Sequence, residues 1–128
     1  MKTFNICGKK IMPLISLHSV PTSAPQSVEV TAIDSRTVII SWAPPPLEQQ
    51  NGNIREYRVN ISERETGKAI HLVSAAVSVT VPSLHPFYTY NCTVAAFTVG
   101  EGPHSVEVTV TMPEDGTVHI HKIMHYFL

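Results

Sequence analysis

The chain has 128 residues, 43% of them hydrophobic and 15% charged, with a formal net charge of −1. That length supports one domain. Between residues 25 and 113, five Lys/Arg stand against eight Asp/Glu. No basic stripe is present to attract nucleic acid or heparin, and no apolar run reaches the roughly 20 residues of a membrane-spanning helix.

Residues 1–24 read as a flank, disordered or weakly signal-like. They carry Lys2, a short apolar run from Ile11 to Leu17, and the small residues Thr22-Ser23-Ala24. Lys9, Lys10, Pro13 and Pro25 argue against a cleaved secretion signal. Val28 and Val30 alternate with polar residues and predict a first strand. Asp34-Ser35 marks a turn. Arg36 to Trp42 is β-branched and alternating, so Val38, Ile40 and Trp42 share one face of a second strand. Pro44-Pro45-Pro46 ends it, because proline donates no ladder hydrogen bond. After Asn51-Gly52-Asn53 comes Glu56 to Glu63, with Tyr57, Val59 and Ile61 facing inward. His71 to Val73 is a weaker strand, and Val77, Val79 and Val81 form another. Tyr90, Cys92, Val94 and Ala96 make the next inward row, and Val106, Val108 and Val110 the last. No segment has a helical period. Seven short strands separated by turns predict an all-β, seven-stranded antiparallel sandwich over residues 25–113, with 114–128 as a tail.

The landmarks of that region are Trp42, Tyr57-x-Val59-x-Ile61, Leu84-x-Pro86, Tyr90 and Gly100-Glu101-Gly102-Pro103. In order and spacing they resemble a fibronectin type III domain. The Pro-rich stretch followed by Asn51-Gly52-x-Ile54-x-x-Tyr57-x-Val59 resembles the modules of receptor-type tyrosine phosphatases and adhesion receptors. The resemblance implies an immunoglobulin-like sandwich that serves as a spacer and recognition module in cell-surface proteins. It implies that Trp42 is the core Trp of the second strand. It also implies that Leu84 and Tyr90 build a tyrosine corner, the Tyr hydroxyl bonding back to upstream backbone. The leading expectation is a non-catalytic extracellular module, using no cofactor. It would contact an unknown protein partner and neighbouring domains of a larger receptor, and touch neither nucleic acid nor membrane. The alternatives are an intracellular structural module of muscle-protein type and an ectodomain fragment of a receptor tyrosine phosphatase. Arg-Gly-Asp and Trp-Ser-x-Trp-Ser are absent from the sequence.

Two Asn-x-Ser/Thr motifs stand out, Asn60-Ile61-Ser62 and Asn91-Cys92-Thr93. Each is an N-glycan acceptor in a secreted protein. Strand parity turns both asparagines outward, on one face with Arg58 and Thr93. In the family arrangement their strands are neighbours. Partners are then expected on the opposite sheet, at the Gly100–Pro103 loop, or at the ends. Cys92 faces inward and reads as a buried free thiol rather than a nucleophile. Cys7 lies in a flank, out of its reach. His119-x-His121-x-x-x-His125 has metal-like spacing but no closed ligand set. Ile33-Asp34-Ser35 is a short acidic tripeptide and Pro44-Pro45-Pro46 a short proline run. Turn and strand-end roles account for both.

Overall fold

The computed structural model describes residues 19–115. Eight strand segments follow in order: β1 Gln26–Ala32, β2 Val38–Ala43, β3 Glu56–Glu63, β4 Ala69–Ser74, β5 Ser78–Val81, β6 Thr89–Phe97, β7 Glu101–His104 and β8 Val108–Thr111. A 3-10 turn at Leu47–Gln49 follows the prolines. One sheet has the order β1-β2-β5. The other runs β4-β3-β6-β7, with β8 on the same edge of β6 as β7. All pairings are antiparallel.

Two-residue alternation explains the layering. Along β3 every second residue is buried, from Tyr57 through Val59 and Ile61 to Glu63. Val38, Ile40 and Trp42 of β2 face them across the interior. Trp42 and Tyr57 meet edge to face, their ring centroids 5.4 Å apart, the geometry the ring quadrupole favours. Tyr90, Cys92 and Val94 complete the core from β6, and Leu84 and Met112 close one end.

The eighth segment comes from a break in the expected last strand. β7 pairs with the Ala95–Phe97 end of β6, and β8 with Thr89 to Cys92. Between them Ser105 takes over the ladder. Its N–H donates to the Val94 carbonyl (2.8 Å) and its hydroxyl accepts from the Val94 N–H (3.0 Å). Val106, expected in the inward row, is turned out and 86% exposed.

The tyrosine corner is formed. The His85 N–H donates to the Tyr90 hydroxyl at 2.9 Å, and the Leu84 N–H donates to the Arg36 carbonyl at 2.8 Å. The corner also holds a residue the landmarks do not name. The Tyr90 hydroxyl donates to Glu63 Oε2 at 3.4 Å, and Thr66 Oγ1 donates to Glu63 Oε1. Glu63 ends the inward row of β3 and is buried.

Residues 19–22, assigned by sequence to the flank, are built into the sandwich. The Ser19 and Thr22 N–H groups donate to the Asn51 and Gln49 carbonyls, at 3.1 and 2.9 Å. Asn51 Nδ2 donates to the Val20 carbonyl (3.0 Å), and Thr98 Oγ1 to the Ser19 carbonyl (2.7 Å). Pro21 is fully buried. It sits so close to Gly102 that a Cβ there would lie 2.8 Å from the Pro21 Cβ. At the opposite end, Asp115 receives Ser35 Oγ (2.7 Å) and Arg36 Nη2 (3.1 Å). The Ser35 bond first, then Arg36, holds its carboxyl below the usual range. A boundary at 24/25 therefore leaves out chain that the fold uses.

Candidate functional site

The outer face of the five-stranded sheet carries both sequons. In the β3–β6 ladder Asn60 lies opposite Thr93, and Ser62 lies opposite Asn91. Each acceptor asparagine thus faces the hydroxyl residue of the other motif. All four are half-buried. The bonds of both asparagine side chains are made by their oxygens. Asn91 Oδ1 accepts from Thr109 Oγ1 at 2.9 Å and from Arg64 Nη2 at 3.1 Å. Asn60 Oδ1 pairs with His71 Nδ1 at 2.6 Å. Thr93 Oγ1 meets His104 Nδ1 at 3.1 Å, and His104 Nε2 meets Glu101. Arg58 lies 4.2 Å above the Phe97 ring and pairs with Glu56. Most of the face is a paired polar network, with Val73, opposite Arg58, an exposed apolar residue on it; its ion pairs lie in partial solvent, where they contribute little to stability.

The core candidates Trp42, Tyr57, Leu84, Tyr90 and Cys92 are all buried and pack together. Burial pushes the Cys92 thiol up to about 11, which leaves it protonated and unreactive at neutral pH. It is a free cysteine; Cys7 lies outside the described residues. Burial also raises the hydroxyls of Tyr57 and Tyr90.

Other sequence candidates have structural roles. Asp34 Oδ1 accepts from the Arg36 N–H at 2.8 Å, a local turn bond. Ser35 is buried against Asp115, so Ile33-Asp34-Ser35 does not stand free as a ligand. In the proline run, Pro45 is buried and Pro44 exposed. His119, His121 and His125 lie outside the described residues. Among the described residues no group of three or more His, Cys, Asp or Glu could hold a metal ion, and no helix is long and apolar enough to cross a membrane. The Gly100–Pro103 segment, expected as a contact loop, is partly strand β7; its two glycines pack against Val20 and Pro21, while Glu101 and Pro103 are exposed.

Sequence reasoning missed Phe87. It has φ 70°, a left-handed backbone costly for a bulky side chain. The residue is 62% exposed. Its N–H donates to the Met112 carbonyl (3.2 Å), placing it where the described chain leaves the sandwich. The signal was a Phe between Pro86 and Tyr88 at a turn, which an alternation pattern does not weigh.

A family model for the fibronectin type III domain matches residues 23–111. The chain belongs to the fibronectin type III family. It is 34% identical to chicken protein sidekick-2 over 97 residues, covering 72% of this chain and 4% of that protein. It is 35% identical to mouse receptor-type tyrosine-protein phosphatase F over 102 residues, 73% of this chain and 5% of the phosphatase. Among solved structures, the FN5 domain of Drosophila Lar superposes with a TM-score of 0.61 at 29% identity, covering 73% of this chain and 98% of that one. The chain therefore corresponds to a small part of these curated relatives. As a fibronectin type III domain it is a two-sheet sandwich whose core landmarks are packing devices.

Proposed function

We propose that this fibronectin type III domain is a non-catalytic extracellular spacer and recognition module of a cell-surface receptor or adhesion protein, working by protein–protein contact. Phe87 carries the reading. A left-handed φ is free of steric penalty for glycine and unfavourable for Phe. Phe87 is 62% exposed and lies outside the core cluster, so core packing does not account for it. Strain held at an exposed aromatic points to a contact made with another molecule. The receptor-type name of the mouse phosphatase it resembles supports an extracellular setting. The chemistry expected at Phe87 is an apolar pocket on a protein partner.

The test is binding of the full chain, secreted and displayed multivalently, to a panel of intact cells. The reading expects saturable binding that trypsin treatment of the cells abolishes. It also expects Phe87→Gly to weaken that binding by about tenfold, the scale of a modest hot spot. Absence of saturable, protease-sensitive binding on every cell type would overturn it.

A further inference from the structure

We propose that Asn60 and Asn91 each carry an N-linked glycan and that the two stems rise side by side from the outer face of the five-stranded sheet, closing that face to flat docking. The proposal rests on the extracellular reading. Three observations carry it. The asparagines are 31 positions apart in sequence, yet the ladder sets them on one diagonal, each opposite the other motif's hydroxyl residue. Diagonal neighbours across a sheet stand about 7–8 Å apart, so both glycans would share one patch of surface.

The second observation is the direction of the amides. An arginine only donates hydrogen bonds. The contact from Arg64 Nη2, with the Thr109 hydroxyl beside it, therefore fixes the oxygen of Asn91 toward Arg64 and Thr109. The nitrogen is turned to the other side. Asn60 places its side-chain oxygen 2.6 Å from His71 Nδ1, where a histidine takes either role. At Asn91 the nitrogen that would bear sugar is the atom these bonds leave free, and the oxygen contacts survive modification.

The third is the face itself. Arg58 covers Phe97 and is tied to Glu56, and Thr93, His104 and Glu101 satisfy one another. A surface with its polar groups already paired gives a protein partner little to gain by desolvating it.

The covalent step uses a polyisoprenyl-pyrophosphate oligosaccharide supplied in the secretory pathway. The bond between sugar C1 and the phosphate oxygen breaks, and the pyrophosphate leaves with the electron pair. C1 bonds to Nδ2, which gives up one proton to a base and keeps the other. Nothing is oxidised or reduced. Because both side chains face outward, the folded sandwich accommodates the added sugar without disturbing the core.

The test places the full chain behind a secretion leader in mammalian cells, so that delivery does not depend on its natural destination. Intact mass is read before and after peptide-N-glycosidase, which converts each modified Asn to Asp and so counts sites. Two sites are expected. Ser62→Ala and Thr93→Ala should each remove one, while leaving both asparagines in place. Native Trp42 emission certifies folding. Secreted, folded protein with neither site modified overturns the proposal, and occupancy of one site alone overturns the pairing. For shielding, Val73→Cys on a Cys7→Ser background is labelled with a polymer maleimide. Labelling should be several-fold slower before native deglycosylation than after, and equal rates would overturn the closed face. These outcomes are independent of the cell-binding assay, so a failure of the sites is distinct from a failure of the extracellular reading.

Discussion

Replacing Tyr90 with Phe removes one oxygen and leaves the ring, so any loss of stability reports the corner rather than a cavity. Two bonds disappear. The His85 N–H loses its 2.9 Å acceptor, and the Glu63 carboxylate loses a 3.4 Å donor. Glu63 is not a surface group; its side chain is 6% exposed. A neutral bond contributes about 1 kcal/mol and a bond to a charged group about 1.5–3, reduced here by the longer distance. Together they amount to about 2–3 kcal/mol, a large share of a domain's ~5–15 kcal/mol. For a domain of this size that lowers the melting temperature by about 10 °C or more. Urea unfolding followed by the emission of Trp42, the single tryptophan, measures it directly. The midpoint should fall with an unchanged slope, as expected when stability changes and the exposed surface does not. In a double-mutant cycle with Glu63→Gln, the two losses should be non-additive, because the residues are bonded. A Tyr90→Phe variant within about 0.5 kcal/mol of wild type, the range of ordinary surface changes, would refute this reasoning.

Four further outcomes rest on the same packing. Cys92 is raised from 9.0 to about 11 in the folded state, so its contribution is complete below pH 9 and is lost as pH rises through about 11. At roughly 1.4 kcal/mol per unit, wild type should lose up to about 3 kcal/mol more than Cys92→Ala across that window; parallel pH profiles would contradict it. Gly102→Ala should cost about 1–3 kcal/mol by crowding Pro21, and a chain lacking residues 1–23 should be less stable than one lacking residues 1–18, by the loss of the contacts of residues 19–22. Equal stability of the two truncations by thermal unfolding would show that residues 19–22 are passive. Phe87→Gly should raise stability by about 0.5–1 kcal/mol, strain relief minus the added freedom of the unfolded chain, in the same urea assay that would expose a loss instead.

Much of this was legible from alternation alone. Val38, Ile40, Trp42, Tyr57, Val59 and Ile61 face inward because a strand has no other way to place them. The corner was legible through the family resemblance carried by Leu84-x-Pro86 and Tyr90. Long-range geometry was not. Nothing local marks Ser19 to Thr22 as part of the sandwich, since their partners are Gln49, Asn51 and Thr98. Glu63 continues an apolar row, but its burial depends on its donors Tyr90 and Thr66, which alternation does not place. The broken last strand depends on the Ser105 hydroxyl replacing a backbone partner, which a Val-x-Val-x-Val pattern conceals. Outward parity of Asn60 and Asn91 was readable, whereas their reciprocal register needed the ladder.

The most direct measurement of the division between a closed face and a recognising end is a single set of cell-binding curves. The secreted full chain is compared with the same chain natively deglycosylated and with Phe87→Gly. The account predicts that deglycosylation leaves affinity within about twofold, while Phe87→Gly weakens it by about tenfold. Loss of binding on deglycosylation, with Phe87→Gly unchanged, would place the contact on the sugars and contradict the account.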